Sequence, residues 1–305
     1  MKNKQKAIFR IGLTWEKGCA TIYKNDFEGE KMRRIVTVQD ISCVGKCSLT
    51  VALPIISALG VECAVIPTAV LSTHTAFSGF TFCDLTDEID KISAHWQKEH
   101  INFDAVYTGY LGSFRQIELM KKFFGDNKDA MKFVDPAMGD NGKLYPGFTE
   151  EFAKEMASLC AMADVIVPNI TEAAFMLGEE YMGTGYSEDY IKNLLDKLTA
   201  LGAKKAMITG VSLKPGKLGV MMKDSETGKY ESYFTEKVDR MYHGTGDVFA
   251  SACLGALVRG KSLKSAAKIA ADFTVESIKC TVKDPHSNWY GVNFEEALGK
   301  LTSAI

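Results

Sequence analysis

His243-Gly244-Thr245-Gly246-Asp247-Val248-Phe249-Ala250-Ser251-Ala252-Cys253-Leu254-Gly255-Ala256-Leu257 is the stretch on which the reading of the fold turns. Two glycines flank a threonine, an acid follows, and a run of small and apolar residues opens. Glycine lets the backbone take unusual dihedrals and approach a ligand closely. The apolar run reads as a buried helix, so its first free N–H groups lie at the glycines. A helix N-terminus with free amides attracts anions, phosphate above all. A carboxylate at Asp247 would repel that phosphate unless its task is to take a proton from an attacking hydroxyl. Gly-Thr-Gly-Asp is also ordinary turn and N-cap chemistry, and on these residues alone both readings stand.

Upstream of this stretch, short β-branched runs alternate with helical ones. Strands are expected at 34–38, 63–66, 105–107, 132–134, 165–167 and 206–208. Helices are expected near 47–59, 86–100, 114–124, 149–161, 171–177 and 188–201. Alternation of this kind predicts an α/β fold with a mostly parallel central sheet and helices on both faces. Residues 218–223 and 230–234 read as a small antiparallel pair. Helices follow at 247–259 and from Ser262 to about Lys279. A last one is expected from Asn293, with Glu296 completing a capping box. Residues 1–31 break the pattern: 8–15 and 19–23 read as short strands and 26–31 as a polar loop. The expected organisation is an N-terminal appendage of unknown role over 1–31 and one domain over 32–305.

The chain has 305 residues, 46% of them hydrophobic, enough for one large α/β domain. Its formal net charge of −2 gives no basic surface that would argue for nucleic acid. Eight cysteines are scattered without a Cys-x-x-Cys pair, which fits free thiols in a reducing compartment. No apolar run has the length of a membrane span, and the Lys-rich start lacks an apolar signal region. A cytoplasmic protein with no membrane partner is the expectation.

Ligands of open α/β sheets bind beyond the carboxyl ends of the strands. There the sequence places Gln39-Asp40, Thr108-Gly109-Tyr110, Asp135-Pro136, Asn169-Ile170-Thr171-Glu172 and Thr209-Gly210. Each has a plain reading as a turn starter, an N-cap, a capping-box partner or a loop glycine. Together they would bring carboxylates, an amide and hydroxyls to one rim. Asp135, Asn169 and Glu172 offer hard oxygens that suit Mg²⁺, with waters and phosphates completing its shell. Two phosphate-loop decoys fail. Gly210 to Lys217 has one residue too many between its glycines, and Val44-Gly45-Lys46-Cys47-Ser48 lacks the first glycine. No Gly-x-Gly-x-x-Gly follows the first strand, which disfavours a Rossmann dehydrogenase.

Gly244-Thr245-Gly246-Asp247 with its small-residue helix resembles the signature of the ribokinase superfamily, and Asn169-Ile170-Thr171-Glu172 its Asn-x-x-Glu motif. Within it the nearer resemblance is to the pyridoxal kinase family. It rests on Ser72-Thr73-His74-Thr75, Gly109-Tyr110-Leu111-Gly112-Ser113, Phe133 to Asp140 and Val167-Pro168-Asn169, in order along the chain. The resemblance implies a ribokinase-like fold and an ATP- and Mg²⁺-dependent kinase acting on the 5′-hydroxyl of a vitamin B6 vitamer. It implies Asp247 as the base, in contact with substrate, and Gly244, Thr245 and Gly246 as the anion hole. It assigns Asp135, Asn169, Glu172 and Thr209 to ATP, with Asp135 and Glu172 also toward Mg²⁺, partly through water. Val44, His74, Thr75 and Tyr110 fall at the pyridine ring. A homodimer and a monovalent cation such as K⁺ are implied as well.

One departure stands out. Many members of that family carry Ser where this chain has Asp40, at the end of the first strand. An acid there could pair with a ring nitrogen or an amine substituent, or merely cap its loop. The expectation places Asp40 across the substrate from Asp247. A hydroxymethylpyrimidine kinase of the same fold is the alternative enzyme, though Gly45-Lys46-Cys47-Ser48 replaces the glycine-rich stretch usual there. A vitamer- or nucleotide-binding module without turnover is the non-enzymatic alternative.

Overall fold

A computed structural model describes residues 13–16, 19–22, 32–240 and 242–305. Met1–Met32 and Arg33–Ile305 are separate compact units. In the first, β1 (Leu13–Glu16) pairs antiparallel with β2 (Cys19–Ile22). The remainder of the strand expected at 8–15, residue 23 and the loop expected at 26–31 lie outside the described residues.

The second unit runs β3 (Arg34–Ser42), α1 (Leu49–Ala58), β4 (Glu62–Leu71), β5 (Phe82–Asp84), α2 (Thr86–Lys98), β6 (Ala105–Thr108) and α3 (Phe114–Asp126). It continues with β7 (Met131–Val134), a small ribbon of β8 (Gly139–Asp140) and β9 (Lys143–Leu144), α4 (Glu150–Cys160), β10 (Val165–Ile166), α5 (Ile170–Leu177) and α6 (Glu188–Ala200). Then come β11 (Lys205–Val211), β12 (Lys217–Asp224), β13 (Tyr230–Glu236), α7 (Thr245–Val258) and α8 (Leu263–Lys283). A 3₁₀ turn at Phe294–Ala297 and α9 (Leu298–Thr302) close the chain.

Nine strands form one sheet in the order β13-β12-β11-β10-β7-β6-β3-β4-β5. Its centre is parallel, while the β4–β5 pairing on one edge and the β11–β12 and β12–β13 pairings on the other are antiparallel. Central strands such as Ala105–Thr108 are buried on both faces, which is why they read as continuous apolar runs rather than alternating ones. One apolar core lies under α2 to α6 and a second under α1, α7 and α8. Every residue of α7 from Val248 to Ala256 is buried, which accounts for its uniformly apolar composition.

Hydroxyl side chains start four of the remaining helices. Ser113, Thr149, Ser187 and Ser262 each accept a backbone N–H at the N-cap of α3, α4, α6 and α8. The expected capping box at Asn293 is absent: its side-chain amide donates to Asp284 and Glu296 instead, and the segment opens as a 3₁₀ turn. Strand β3 runs past Val38 to Ser42, because the polar residues Gln39, Asp40 and Ser42 are buried there.

Two irregularities position the carboxyl edge of the sheet. The β3–β4 register shifts between Gln39 and Ile41, and the β11–β12 register between Thr209 and Val211. Bulges of this kind re-aim side chains next to binding sites. Phe133 is fully buried and meets Tyr107 edge-on, with ring centroids 5.4 Å apart. Phe133→Ala is therefore expected to destabilise the protein by about 3–5 kcal/mol in urea unfolding. A loss below about 1 kcal/mol would mean the sheet centre collapses around the gap.

Candidate active site at the carboxyl edge of the sheet

Chain direction decides where the polar residues meet. With β6, β7, β10 and β11 parallel, their carboxyl ends open on one side, and α7 begins there. The result is a cavity of about 360 Å³. Asp135, Asn169, Glu172, Thr209, Gly244, Thr245, Gly246 and Asp247 all line it.

Gly244 precedes α7 in the left-handed conformation, φ 75°. A side chain there would place Cβ 1.8 Å from the Lys46 carbonyl oxygen. Only glycine lets the two loops approach so closely. The first backbone bond of α7 runs from Val248 N–H to the Gly244 carbonyl, 3.0 Å. The amides of Thr245, Gly246 and Asp247 therefore have no intrahelical partner and end the helix at the cavity.

Asn169 and Glu172 satisfy both of their sequence readings. They form a capping box at the start of α5: Asn169 Oδ1 accepts the Glu172 N–H at 2.9 Å and Glu172 Oε2 the Asn169 N–H at 2.8 Å. Asn169 Nδ2 donates to the Gly139 carbonyl at 2.8 Å, and the Met138 N–H donates to Glu172 Oε1 at 3.2 Å. The cap thus ties α5 to the β8–β9 ribbon. Thr209 bridges to Asn169 across the two strand ends.

The acids crowd one another. Burial, reinforced by Glu172 and Asp247, holds the Asp135 carboxyl well above the usual carboxylate range. Glu172 is pushed up to about 8 by burial, against the backbone N–H groups that favour its charge. Asp247 is pushed up to about 7 by burial, opposed by the Ser48 backbone N–H and reinforced by Asp40. Among the described residues no Lys or Arg forms an ion pair with any of these three.

The remaining expected site residues form a second cluster that does not line this cavity. Asp40 and His74 are buried, Tyr110 is half-buried, and Val44 and Thr75 are exposed. The loops carrying them are paired: His74 N–H donates to the Val44 carbonyl at 3.1 Å. Burial raises the Asp40 carboxyl, while the hydroxyls of Ser48 and Ser42 favour its ionised form. Burial and the neighbouring His243 disfavour a charged His74. The Asp40 charge is close enough to Asp247 to help raise its carboxyl.

Several site features escaped the sequence reading. His74 is ringed by Phe77, His243, Trp289 and Tyr290, with centroids 5.2, 5.4, 5.8 and 6.3 Å away. Lys46 ties its loop to the C-terminal segment through Asn293 at 3.1 Å and Glu295 at 2.9 Å. Ala271, Thr274, Val275 and Ile278 of α8 wall the cavity. Their i, i+3, i+4, i+7 spacing was a readable one-face signal; the two other features depend on residues some 200 positions apart and left none.

The sheet order, the antiparallel edge and the helix-started phosphate-type cavity define a ribokinase-superfamily fold. The phosphomethylpyrimidine kinase family model matches residues 53–290, and the chain belongs to that family. It is 34% identical over 184 residues to the pyridoxine kinase of Bacillus subtilis, 59% of this chain and just under two thirds (65%) of that protein. A Bacteroides thetaiotaomicron protein with a provisional phosphomethylpyrimidine kinase assignment, crystallised with pyridoxal, superposes with a TM-score of 0.84 and 40% identity over 89% of this chain and 96% of that one. The pyridoxal kinase of Lactobacillus plantarum superposes with a TM-score of 0.83 and 30% identity over 90% and 98%.

Carboxyls whose folded pKa lies above the unfolded value lend stability that is complete below about pH 4 and is lost as pH rises through the folded value. For Asp247 and Glu172 that loss extends to about 7 and about 8. The ligand-free protein is expected to melt at a lower temperature at pH 8 than at pH 6. Glu172→Gln should flatten the slope, and a Tm rising over this interval in the unmodified protein would contradict the crowding of these acids.

Proposed function

We propose that this protein transfers the γ-phosphoryl group of ATP to the 5′-hydroxyl of a vitamin B6 vitamer: pyridoxal, pyridoxine or pyridoxamine. The observation that carries the reading is Asp247, a carboxyl held near 7 in the first turn of a helix whose free amides face the cavity. A base works best with a pKa near the operating pH. Asp247 takes the hydroxyl proton as the oxygen forms its bond to phosphorus and ADP leaves with the electron pair of the breaking bond. The amides of Thr245, Gly246 and Asp247, opened by Gly244, hold the charge on the transferred group. Asn169 and Thr209 contact the ATP phosphates. Positioning and electrostatics supply the rate in transfers of this kind.

Asp135 and Glu172 suit Mg²⁺. The Asp135 carboxyl has no hydrogen-bond partner among the described residues, whereas both Glu172 oxygens accept backbone N–H groups. Asp135 would then hold the cation, with Glu172 assisting in part through water. Among the described residues no group of three or more His, Cys, Asp or Glu is arranged to hold a metal ion by itself; Mg²⁺ commonly shares its shell with phosphates and waters. Bound there, Mg²⁺ neutralises phosphate charge. A monovalent cation beside the anion hole, a homodimer and a cytoplasmic location belong to the same proposal. Replacing K⁺ by tetramethylammonium in the assay, sedimentation, and cell fractionation test them. No helix among the described residues is long and apolar enough to cross a membrane.

Asp40, Val44, His74, Thr75 and Tyr110 face the pyridine ring in this reading. Membership of the phosphomethylpyrimidine kinase family makes a substituted methylpyrimidine the second candidate acceptor. Coupled ADP release with pyridoxal, pyridoxine, pyridoxamine and hydroxymethylpyrimidine separates them: turnover of a B6 vitamer with the highest kcat/KM is expected, and turnover of the pyrimidine alone overturns the reading.

Asp247→Asn is expected to lower kcat at least 1000-fold, on the order of the loss when a base and its charge are both removed, with ATP binding by calorimetry nearly unchanged. Retained turnover would remove the base role. Asp40→Ser is expected to lower kcat/KM for pyridoxamine more than for pyridoxal. Equal ratios in the two proteins would show that Asp40 does not read the ring or its amine.

A further inference from the structure

Lys46 lies where three segments cross, and each of its contacts there is close. Its carbonyl faces the start of α7, where a Cβ on Gly244 would come within 1.8 Å of the oxygen. Its stem runs along Gly291, whose Cβ would lie 2.3, 3.0 and 3.2 Å from Lys46 Cβ, Cγ and Cδ. Its ammonium donates to Asn293 Oδ1 at 3.1 Å and to Glu295 Oε2 at 2.9 Å. Backbone, stem and head of one residue thus meet two glycines and two polar partners.

The bond to Asn293 is specified by its surroundings. Asn293 is buried, and its Nδ2 donates to Asp284 Oδ2 at 3.0 Å and Glu296 Oε1 at 3.3 Å. Turning the amide over would set its oxygen against two carboxylates. Oδ1 therefore faces Lys46, and only a donor suits it there. The Asn293 N–H donates to Thr281 Oγ1 of α8 at 2.7 Å. The far end of Lys46 is thus tied to a residue anchored on a long helix.

Trp289 and Tyr290 stand just before Gly291. Their ring centroids lie 4.6 and 5.4 Å from Phe77 and 5.8 and 6.3 Å from His74. The loop bearing His74 is bonded to the loop bearing Lys46, through the His74 N–H and the Val44 carbonyl. Trp289 keeps 56% of its surface exposed, apolar area that a bound flat ring could cover.

We propose that Lys46 is a positioning residue whose ammonium latches residues 289–295, holding Trp289 and Tyr290 against the 74–77 loop as one wall of the acceptor-ring site. The latch rests on the reading of His74 and Thr75 as ring contacts. It assigns different tasks to the two ends of the residue. The ammonium governs how tightly the ring is held. The carbonyl, which any residue supplies, lies against Gly244 and leaves the start of α7 as it is when the side chain changes.

Lys46→Met keeps an unbranched stem along Gly291 and removes the ammonium. At saturating ATP it is expected to raise KM for pyridoxal about fivefold, the scale of one lost hydrogen bond. Its kcat and its KM for ATP are expected to stay within about twofold of wild type, because the transfer machinery is untouched. Lys46→Arg, which restores a charged donor, is expected to recover most of the loss. An unchanged KM for pyridoxal in Lys46→Met overturns the proposal. So does a parallel rise in both KM values, which is what a general loss of structure would give.

A ligand-free measurement separates the latch from the functional reading. Amide hydrogen exchange over 286–295 is expected to quicken in Lys46→Met, while 245–258 keeps its wild-type protection. That pattern supports the latch even in a protein that phosphorylates no vitamer. Wild-type exchange over 286–295 overturns it whatever the activity.

Discussion

Asp135, Glu172 and Asp247 converge on one cavity without a basic side chain paired to any of them among the described residues. That crowding is the constraint around which the rest of the site is organised. Three acids cannot all ionise cheaply in partly dehydrated surroundings, so each is held above the usual carboxylate range. The free amides at the start of α7 supply one compensating field, and in the proposed reaction a divalent cation with its phosphates would supply the other. The apolar sheet exists, energetically, to hold this unfavourable grouping in place. Its centre is buried on both faces, and α7 is buried along most of its length.

The second cluster has a different logic. Asp40 and His74 are buried, and the rings of Phe77, Trp289 and Tyr290 pack around His74. Lys46 holds its loop against the C-terminal segment, and Gly244 brings that loop beside the first turn of α7. Residues 44–48 thus join the His74 cluster to the start of α7.

Legibility in the sequence followed the range of the interactions. The alternation of strands and helices was readable because buried parallel strands and amphipathic helices leave local patterns. The strand-end residues Asp135, Asn169, Glu172 and Thr209 were readable because chain direction alone places them on one rim. The length of β3 was not, since Gln39, Asp40 and Ser42 look like a loop until their burial is known. The edge strand Phe82–Asp84, exposed at all three positions, had too little apolar content to signal a strand. The capping box expected at Asn293 failed because Asp284 and Glu296 compete for the same amide. Lys46, Ser48 and the aromatic ring around His74 needed the tertiary approach of segments at 44–48, 74–77, 243–247 and 289–295.

The central claim is that a crowded, half-neutral carboxyl at Asp247 is the base that starts the transfer. The pH dependence of kcat/KM for pyridoxal, measured at saturating ATP, tests it most directly. An acid limb with its midpoint near 7 is expected, because Asp247 must lose its proton before it can accept another. A profile that stays flat down to pH 5 would contradict it, since a carboxyl with an ordinary pKa, or none at all, would then suffice.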